Sequence, residues 1–298
     1  MDLSLRILDA PEEMAAVEDL QRQIWSGDET EVVPAHMLIA AAHNGGVLIG
    51  AFEENRGGPA SQLVGFVWGF PGLYFTPDGP RPKHCSHMLG VRPDYRDKGV
   101  GFALKRAQWQ MVRHQGIDRI TWTYDPLLSR NALLNISKLG AVCSTYSRNV
   151  YGEMRDDLNA GLPSDRFQVD WWVNSQRVNH RLSRRARLRL DLANFLAAGV
   201  EIINPTQSGP EGWPLPPGSA GDGQTWAAPE SALLLVEIPS DFLALKAANP
   251  PLALAWRAHT RALFEELFTQ GYLVTDFVYL AGSHARSFYI LSHGDSTL

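Results

Sequence analysis

The sequence predicts a mixed α/β fold built around one β-α-β unit. An apolar strand, His87–Val91, is followed by a helix from Val100 and then by a second apolar strand, Ile117–Tyr124. A crossover helix of this kind joins parallel strands and is almost always right-handed. Upstream strands with alternating apolar and polar residues are expected to pair antiparallel. The sheet is therefore predicted to be mixed, an α/β arrangement with α+β character.

Residue periodicity predicts the other elements of the first half. Asp9 caps the first helix, and the Pro/Gly-rich stretch Pro71–Pro82 predicts a loop. The remaining elements are strand Leu3–Leu8, helix Pro34–His43, the antiparallel pair Val47–Glu53 and Leu63–Phe70, helix Ser129–Leu139 and strand Ala141–Tyr151. The helix from Val100 ends near His114, and we expect it to bury one apolar stripe: Val100, Ala103, Leu104, Ala107 and Met111.

The second half carries enough apolar periodicity for a further domain, so we predict domains at residues 1–155 and 156–298. Its predicted elements are strands Arg166–Val173, Val200–Ile203, Ala232–Ile238, Tyr272–Leu280 and Ser287–Ser292, with one long helix, Leu252–Gln270. Residues 204–230 are rich in Pro and Gly and predict a loop. A strand before Pro239, a helix that ends at Gly271 and a following strand repeat the order of the first β-α-β unit. The alternative is an unrelated α+β domain.

Composition argues against several classes of function. The net charge of −5 gives no electrostatic case for nucleic acid. The basic run Arg181–Arg189 alternates with leucines, which favours a solvated helix face over a polyanion site. We expect a cytoplasmic protein with no membrane partner, because no apolar run reaches ~18–20 residues and the N-terminus lacks the features of a signal peptide. Cys85 and Cys143 form neither a disulfide scaffold nor a metal-ligand pattern, so no metal is predicted.

The most informative motif opens the helix after the first strand of the β-α-β unit. It has the form R-x-x-G-x-G, in which Gly99 and Gly101 leave backbone N–H groups bare at the positive end of a helix dipole. Arg96 and Lys98 add positive charge at the same place. These features predict a cradle for a pyrophosphate. The alternative is an ordinary strand–turn–helix whose glycines serve tight packing.

This segment, with its V-x-P-x-[YF] lead-in, resembles motif A of the GNAT superfamily of N-acetyltransferases, which binds the pyrophosphate of acetyl-coenzyme A. The resemblance implies a GNAT fold over residues 1 to about 155, a degenerate second GNAT-like half, and acetyl-CoA or another acyl-CoA as co-substrate. It implies that the pantetheine arm inserts between splayed strands. The cofactor-binding residues implied are Leu89, Gly90, Val91, Arg96, Asp97, Lys98, Gly99, Val100, Gly101, Phe102 and Asn131.

Transfer of an acyl group to an amine requires a group that accepts the amine's proton. His87 lies on the strand that would line the cleft, and arylalkylamine N-acetyltransferases, which resemble this segment, place a relay histidine at the matching position. Their second histidine falls on Cys85, so the relay is at best partial. The alternative is a histidine that only packs. Asp125 is a second candidate base at the end of its strand, or else a turn residue before Pro126.

The chain differs from the family pattern at the position of the general acid. The tyrosine that usually protonates the thiolate is replaced by Ile136, and Ser129 stands at the usual asparagine. Asn131 is the candidate for the pantetheine contact, and Asn135 is a candidate substrate contact. Possible substitute acids are Tyr124, Tyr146 and Tyr151, of which we select Tyr146; water would also serve, because a thiolate pKa near ~8.5 needs no dedicated acid.

The sequence therefore predicts an acyl-CoA-dependent N-acyltransferase acting on a small-molecule amine, with an amino acid as one candidate. Arg166 would bind the carboxylate of an amino-acid acceptor, and its alternative is a surface arginine. The alternative function is a non-catalytic acyl-CoA-binding protein of regulatory or structural type. A binding protein for another phosphorylated ligand is a third alternative. Both monomer and homodimer remain open.

Overall fold

Two groups of strands and helices make up the computed structural model. It describes residues 3–25, 29–54, 61–154, 156, 159–183, 190–209, 211–218 and 231–293. One compact unit contains Met1–Trp122, Arg155–Asp157 and Trp171–Ser175, and the other contains Thr123–Met154, Leu158–Asp170 and Gln176–Leu298. The chain passes from the first unit to the second after Trp122 and returns to the first for two short segments. The predicted domain boundary at 155/156 stays a prediction.

The first unit contains a sheet with strand order β1-β2-β3-β4-β5. Its elements are β1 (Leu3–Ile7), α1 (Pro11–Ile24), α2 (Ala35–His43), β2 (Val47–Glu53), β3 (Gln62–Thr76), β4 (Gly79–Val91), α3 (Val100–His114) and β5 (Arg119–Tyr124). Pairing is antiparallel as far as β4, and β4 pairs with β5 in parallel. The predicted β-α-β unit is therefore confirmed.

Helices cover both faces of this sheet. A cluster of buried apolar side chains from α1, α2, β2 and β3 fills one face. On the other face α3 packs closely, because a Cβ on Gly65 of β3 would meet Leu104 and Val100 at 3.3 Å. The predicted stripe on α3 is partly wrong. Ala103, Ala107 and Met111 are only half-buried, whereas five side chains are buried: Val100, Leu104, Lys105, Gln108 and Val112.

The predicted loop at Pro71–Pro82 is wrong, because β3 and β4 continue through it as a long hairpin that turns at residues 77–78. The prolines are tolerated there by their register. Pro71 pairs with His84, and Pro82 and Pro80 pair with Leu73 and Phe75, so these three prolines fall at every second pair of the ladder, and the fourth, Pro77, lies in the turn. Every second antiparallel pair exchanges no hydrogen bonds, and a missing N–H at such a position breaks no bond.

The remaining strands of the sheet have the order β7-β6-β12-β13-β11-β8. The elements from residue 129 onward are α4 (Ser129–Ala132, continued by a π-helix at Leu133–Lys138), β6 (Val142–Ser147), β7 (Arg166–Trp172), α5 (Gln176–Leu182), α6 (Leu192–Ala197), β8 (Glu201–Ile202), β9 (Gln207–Ser208), β10 (Pro214–Leu215), β11 (Leu233–Ile238), α7 (Phe242–Ala248), α8 (Pro250–Thr269), β12 (Leu273–Leu280) and β13 (Arg286–Ser292). Helix α8 buries Trp256, Leu263 and Phe264.

The strand–helix–strand order of the first β-α-β unit recurs in the second half, but the two strands there do not pair with each other. Strands β11 and β12 both pair antiparallel with β13, which lies between them. Two strands that are adjacent in the first β-α-β unit are therefore separated in the second. The short connection from β12 back into β13 explains this, because a hairpin places its strands side by side.

Two sequence predictions fall partly outside the described residues. Of the basic run Arg181–Arg189, residues 184–189 lie outside them, and of the loop at 204–230, residues 210 and 219–230 do. Across the part of the chain that the structure describes, every helix is too short or too polar to cross a membrane.

Candidate active site

The loop before α3 has the backbone shape that the motif predicts. A 3-10 turn, Pro93–Tyr95, leads into Asp97 at φ 60° and Gly99 at φ 83°, both in the left-handed region. Gly99 is the N-cap of α3 and supplies no capping side chain. A Cβ on Gly99 would meet nothing within 4 Å, so the backbone angle rather than packing selects glycine here. The two left-handed residues turn the chain into the N-terminus of α3, where backbone N–H groups and the helix dipole favour an anion.

Positive charge surrounds this loop. Arg96 and Lys98 are both exposed. Arg96 donates from Nε to the Val91 carbonyl at 3.3 Å, and Lys98 Nζ lies 5.1 Å from the centre of the Tyr95 ring. The Tyr95 hydroxyl is held by Glu53, which fixes the ring under the lysine. The cradle therefore combines a helix N-terminus with two cations that reach into solvent.

Strand β4 changes its pairing next to this loop. The parallel pairs with β5 are His84–Ile120 and Cys85–Thr121, and among the described residues β4 then runs on to Val91 with only its other edge paired, to β3. Leu89 and Val91 are half-buried on this stretch. Gly90 has a packing role, because a Cβ there would meet Phe66 at 2.7 Å and lie within 3.0 Å of α1 and Trp25 atoms.

His87 occupies a bulge in the same strand. Ser86 pairs with Gly69 and Met88 with Trp68, so His87 is the extra residue without a cross-strand partner in the register. Its side chain is partly exposed and partly covered by two rings, because its ring centre lies 5.3 Å from that of Trp68 and 5.9 Å from that of Phe70. Partial burial lowers the pKa of His87, which keeps the imidazole neutral at neutral pH. Cys85, where the relay would need a second histidine, has its pKa raised by burial.

In the second unit, Asp125 is engaged in an ion pair. The residue is 8% exposed, and both of its carboxylate oxygens accept from the guanidinium of Arg257, which is 2% exposed. Asp125 Oδ1 also accepts from the Leu127 backbone N–H at 2.9 Å, as the turn alternative predicted. Arg257 could not be paired with Asp125 from local sequence, because it lies 132 residues away along the chain.

Tyr146 and Arg166 are also committed to neighbours in the second unit. Tyr146 donates to Asp165 Oδ2 at 2.8 Å. The pKa of Tyr146 is raised, chiefly by burial. Asp165 accepts from Arg261 as well, at 2.8 and 3.0 Å. Arg166 is 6% exposed, so the surface-arginine alternative is wrong, and it donates to the Asp165 carbonyl at 2.9 Å and to Asn159 Oδ1 at 2.7 Å.

The positions aligned with the family's acid and asparagine lie on the α4 segment. Ile136 is fully buried, and Asn135 is 6% exposed within the π-helix. Asn131 is half-buried on α4, and Ser129 Oγ lies 2.7 Å from Ser287 Oγ. The roles of Asn131 and Asn135 stay predictions.

Comparison with known proteins adds an independent finding. Residues 14–133 match the family model described as the acetyltransferase (GNAT) family. This segment contains the cradle, the bulge at His87 and the divergence of β4 from β5. No curated protein sequence matches the chain.

Solved structures give weaker similarities. Arabidopsis thaliana NAA60 in complex with acetyl-CoA is 16% identical with a TM-score of 0.45, over 58% of this chain and 100% of that one. The ribosomal-protein-S18-alanine N-acetyltransferase from Escherichia coli is 12% identical with a TM-score of 0.42, over 63% and 100%. A GNAT-family acetyltransferase from Streptococcus pneumoniae is 15% identical with a TM-score of 0.42, over 57% and 98%.

Proposed function

We propose that this chain transfers an acyl group from coenzyme A to the amine of a small molecule, a proposal supported by the match of residues 14–133 to the acetyltransferase (GNAT) family model. The observation that carries the proposal is the loop before α3. It combines left-handed backbone at Asp97 and Gly99, a helix N-terminus without a capping side chain, and the exposed cations Arg96 and Lys98. A pyrophosphate is the part of acyl-CoA that these groups match.

The acyl donor binds along β4 in this proposal. The N–H groups at the start of α3, from Val100 to Phe102, face the pyrophosphate, while Arg96 and Lys98 neutralise its charge. The backbone of Leu89 and Val91, on the edge that β5 leaves, pairs with the amides of the pantetheine arm. This arrangement brings the thioester towards the bulge at His87. A bulge bends the strand and changes the direction in which its N–H groups point.

Acyl transfer then proceeds by direct attack. The neutral amine forms a bond to the thioester carbon, and the carbonyl oxygen becomes an oxyanion that backbone N–H groups near the bulge stabilise. His87 accepts the proton that the amine loses, directly or through water. The carbon–sulfur bond breaks as the carbonyl re-forms, and water protonates the thiolate of coenzyme A, whose pKa lies near ~8.5 by analogy with cysteine.

The rings around His87 suit an amine acceptor. Trp68 and Phe70 lie 5.5 Å apart between ring centres, and both lie near His87. Aromatic faces attract an ammonium group. Desolvation in such a site lowers the pKa of the amine and favours the neutral form that attacks. Arg166, the residue that favoured an amino-acid acceptor, donates to Asp165 and Asn159 instead, so the proposal is a small amine without a required carboxylate.

Turnover of acetyl-CoA across a panel of amines tests the proposal. We expect release of free thiol with small apolar or aromatic amines, and formation of the matching amide. Short peptides with free N-termini belong in the panel as the competing acceptor class. Tight binding of coenzyme A without turnover of any amine would instead support the non-catalytic acyl-CoA-binding alternative.

A further inference from the structure

A lysine lies buried inside the first unit, on the side of α3 that faces the sheet. Lys105 is 2% exposed. In the described residues it forms no ion pair with a carboxylate. Its charge therefore lacks the usual compensation, and burial lowers its pKa well below the ordinary value. An apolar residue of similar length would occupy this position at a much smaller cost in free energy.

The ammonium group nevertheless has a complete set of contacts. Lys105 Nζ donates to Ser86 Oγ at 2.9 Å and to Gln108 Oε1 at 3.2 Å. On its remaining side, Nζ faces the ring of Trp122, whose centre lies only 3.5 Å away. A cation so close to an indole face is a strong form of this contact when water is excluded.

The neighbours of Lys105 hold one another in place. Ser86 Oγ donates to Gln108 Oε1 at 2.8 Å, and Gln108 Nε2 lies 3.2 Å from His84 Nε2. Burial, followed by the charge of Lys105, lowers the pKa of His84 to about 3, so this imidazole is neutral. The group is thus one fixed hydrogen-bonded network around Lys105 Nζ.

The position of this network in the sheet is specific. The last parallel pair between β4 and β5 is Cys85–Thr121. Ser86 is the next residue on β4, and Trp122 is the next residue on β5. Lys105 therefore contacts the first residue of each strand beyond the point where they stop pairing, by a hydrogen bond on one side and a cation–π contact on the other.

We propose that Lys105 is a positioning residue that holds β4 and β5 apart and so keeps open the strand edge along which the pantetheine arm of acyl-CoA binds. Without it, the side chain that contacts both Ser86 and Trp122 is lost, and the N–H and C=O groups of β4 beyond Cys85 are free to be covered by β5. The inference rests on the proposed function, because it assigns this edge to the arm.

The test compares two ligands that differ by the arm. Coenzyme A carries both the pyrophosphate and the pantetheine arm, whereas 3′-phosphoadenosine 5′-diphosphate carries the adenosine and the phosphates without the arm. In calorimetric titration, Lys105→Met should weaken coenzyme A by about 10-fold or more, equal to about 1.4 kcal/mol. The same variant should bind the fragment within about twofold of the wild type, because the fragment lacks the arm that would lie along the strand edge.

A matched control separates positioning from general loosening of the helix. Val112 is fully buried on α3 but lies two turns away from the strand divergence. Val112→Ala should lower thermal stability and leave the affinity ratio of the two ligands unchanged. Equal losses of both ligands in Lys105→Met, or no loss of either, would overturn the inference.

Two further outcomes are distinguishable. If Lys105→Met fails to fold, Ser86→Ala removes only the contact to β4 and should cause a smaller loss that is again selective for coenzyme A; an unchanged ratio overturns the inference. If the wild-type protein binds neither ligand, the proposed function fails and the inference with it. If the wild type binds both ligands and the variants show the same ratio of the two affinities as the wild type, only the inference fails.

Discussion

Two charged regions of this molecule differ in how their charges are used. In the loop before α3, Arg96 and Lys98 extend into solvent beside backbone N–H groups. In the second unit, Asp125 and Asp165 are buried and bound by Arg257 and Arg261. Groups that already have partners stabilise the fold, whereas groups left with unused hydrogen-bonding capacity can receive a ligand.

The largest expected effect is at the cradle. Gly101→Glu adds a side chain and a negative charge in the first turn of α3, where the pyrophosphate would lie, so calorimetric titration with coenzyme A should lose its binding heat while circular dichroism stays native. Gln110→Glu is the matched control, because it adds the same charge to an exposed position of the same helix. Full affinity in Gly101→Glu would show that the cradle holds no phosphate.

The next largest effect is on stability in the second unit. Asp125→Asn leaves the buried guanidinium of Arg257 without its counter-charge, which should cost about 3–5 kcal/mol in the free energy of unfolding by urea. The exposed pair of Arg148 and Glu265 is the control, and Glu265→Gln should cause no measurable loss. A stable Asp125→Asn protein with a strongly reduced turnover rate would return Asp125 to the list of candidate bases.

A smaller effect is expected at the base. His87→Ala should lower kcat by about 10²-fold and leave the affinity for coenzyme A nearly intact. Only the neutral imidazole accepts a proton, so the wild-type rate should fall as pH drops through the pKa of His87, which lies below the ordinary value of about 6.5. The variant should lose that inflection, and the exposed His114→Ala control should keep it. A wild-type profile in His87→Ala would leave His87 as a packing residue.

The smallest effect should come from one exposed cation. Lys98→Gln removes a charge that solvent screens, so the dissociation constant of coenzyme A should rise only about threefold to fivefold at low salt. The difference should shrink towards 1 M salt, where the Debye length falls to about 3 Å. Arg113→Gln, at the opposite end of α3, should show no such dependence on salt. A loss that salt does not change would mean that Lys98 acts by something other than its charge.

Local patterns predicted the elements that position the cradle. The β-α-β unit, the helix start at Val100 and the glycine at the N-cap follow from apolar periodicity and from backbone angles that few residues adopt. The same reasoning failed at Pro71–Pro82, because the register of β3 with β4, which no local pattern contains, decides whether a proline breaks a hydrogen bond.

The assignment of polar side chains depended on contacts across long stretches of chain. Asp125 lies 132 residues from Arg257, and Asp165 lies 96 residues from Arg261, so their availability for chemistry could not be judged from neighbouring residues. Lys105 was overlooked because a charged residue beside an apolar stripe is ordinarily solvated.

By itself, the sequence determined the mixed α/β class, the parallel pair around α3 and the glycine-containing, cation-flanked loop at its start, because each follows from interactions between residues close in the chain. Only the tertiary structure decided which charges are neutralised and which remain available. It placed His87 in a bulge, bound Asp125 to Arg257, and buried Lys105 between Ser86 and Trp122. The physical reason is that desolvation and pairing of a charge depend on every element packed around it, and those elements are distant in the sequence.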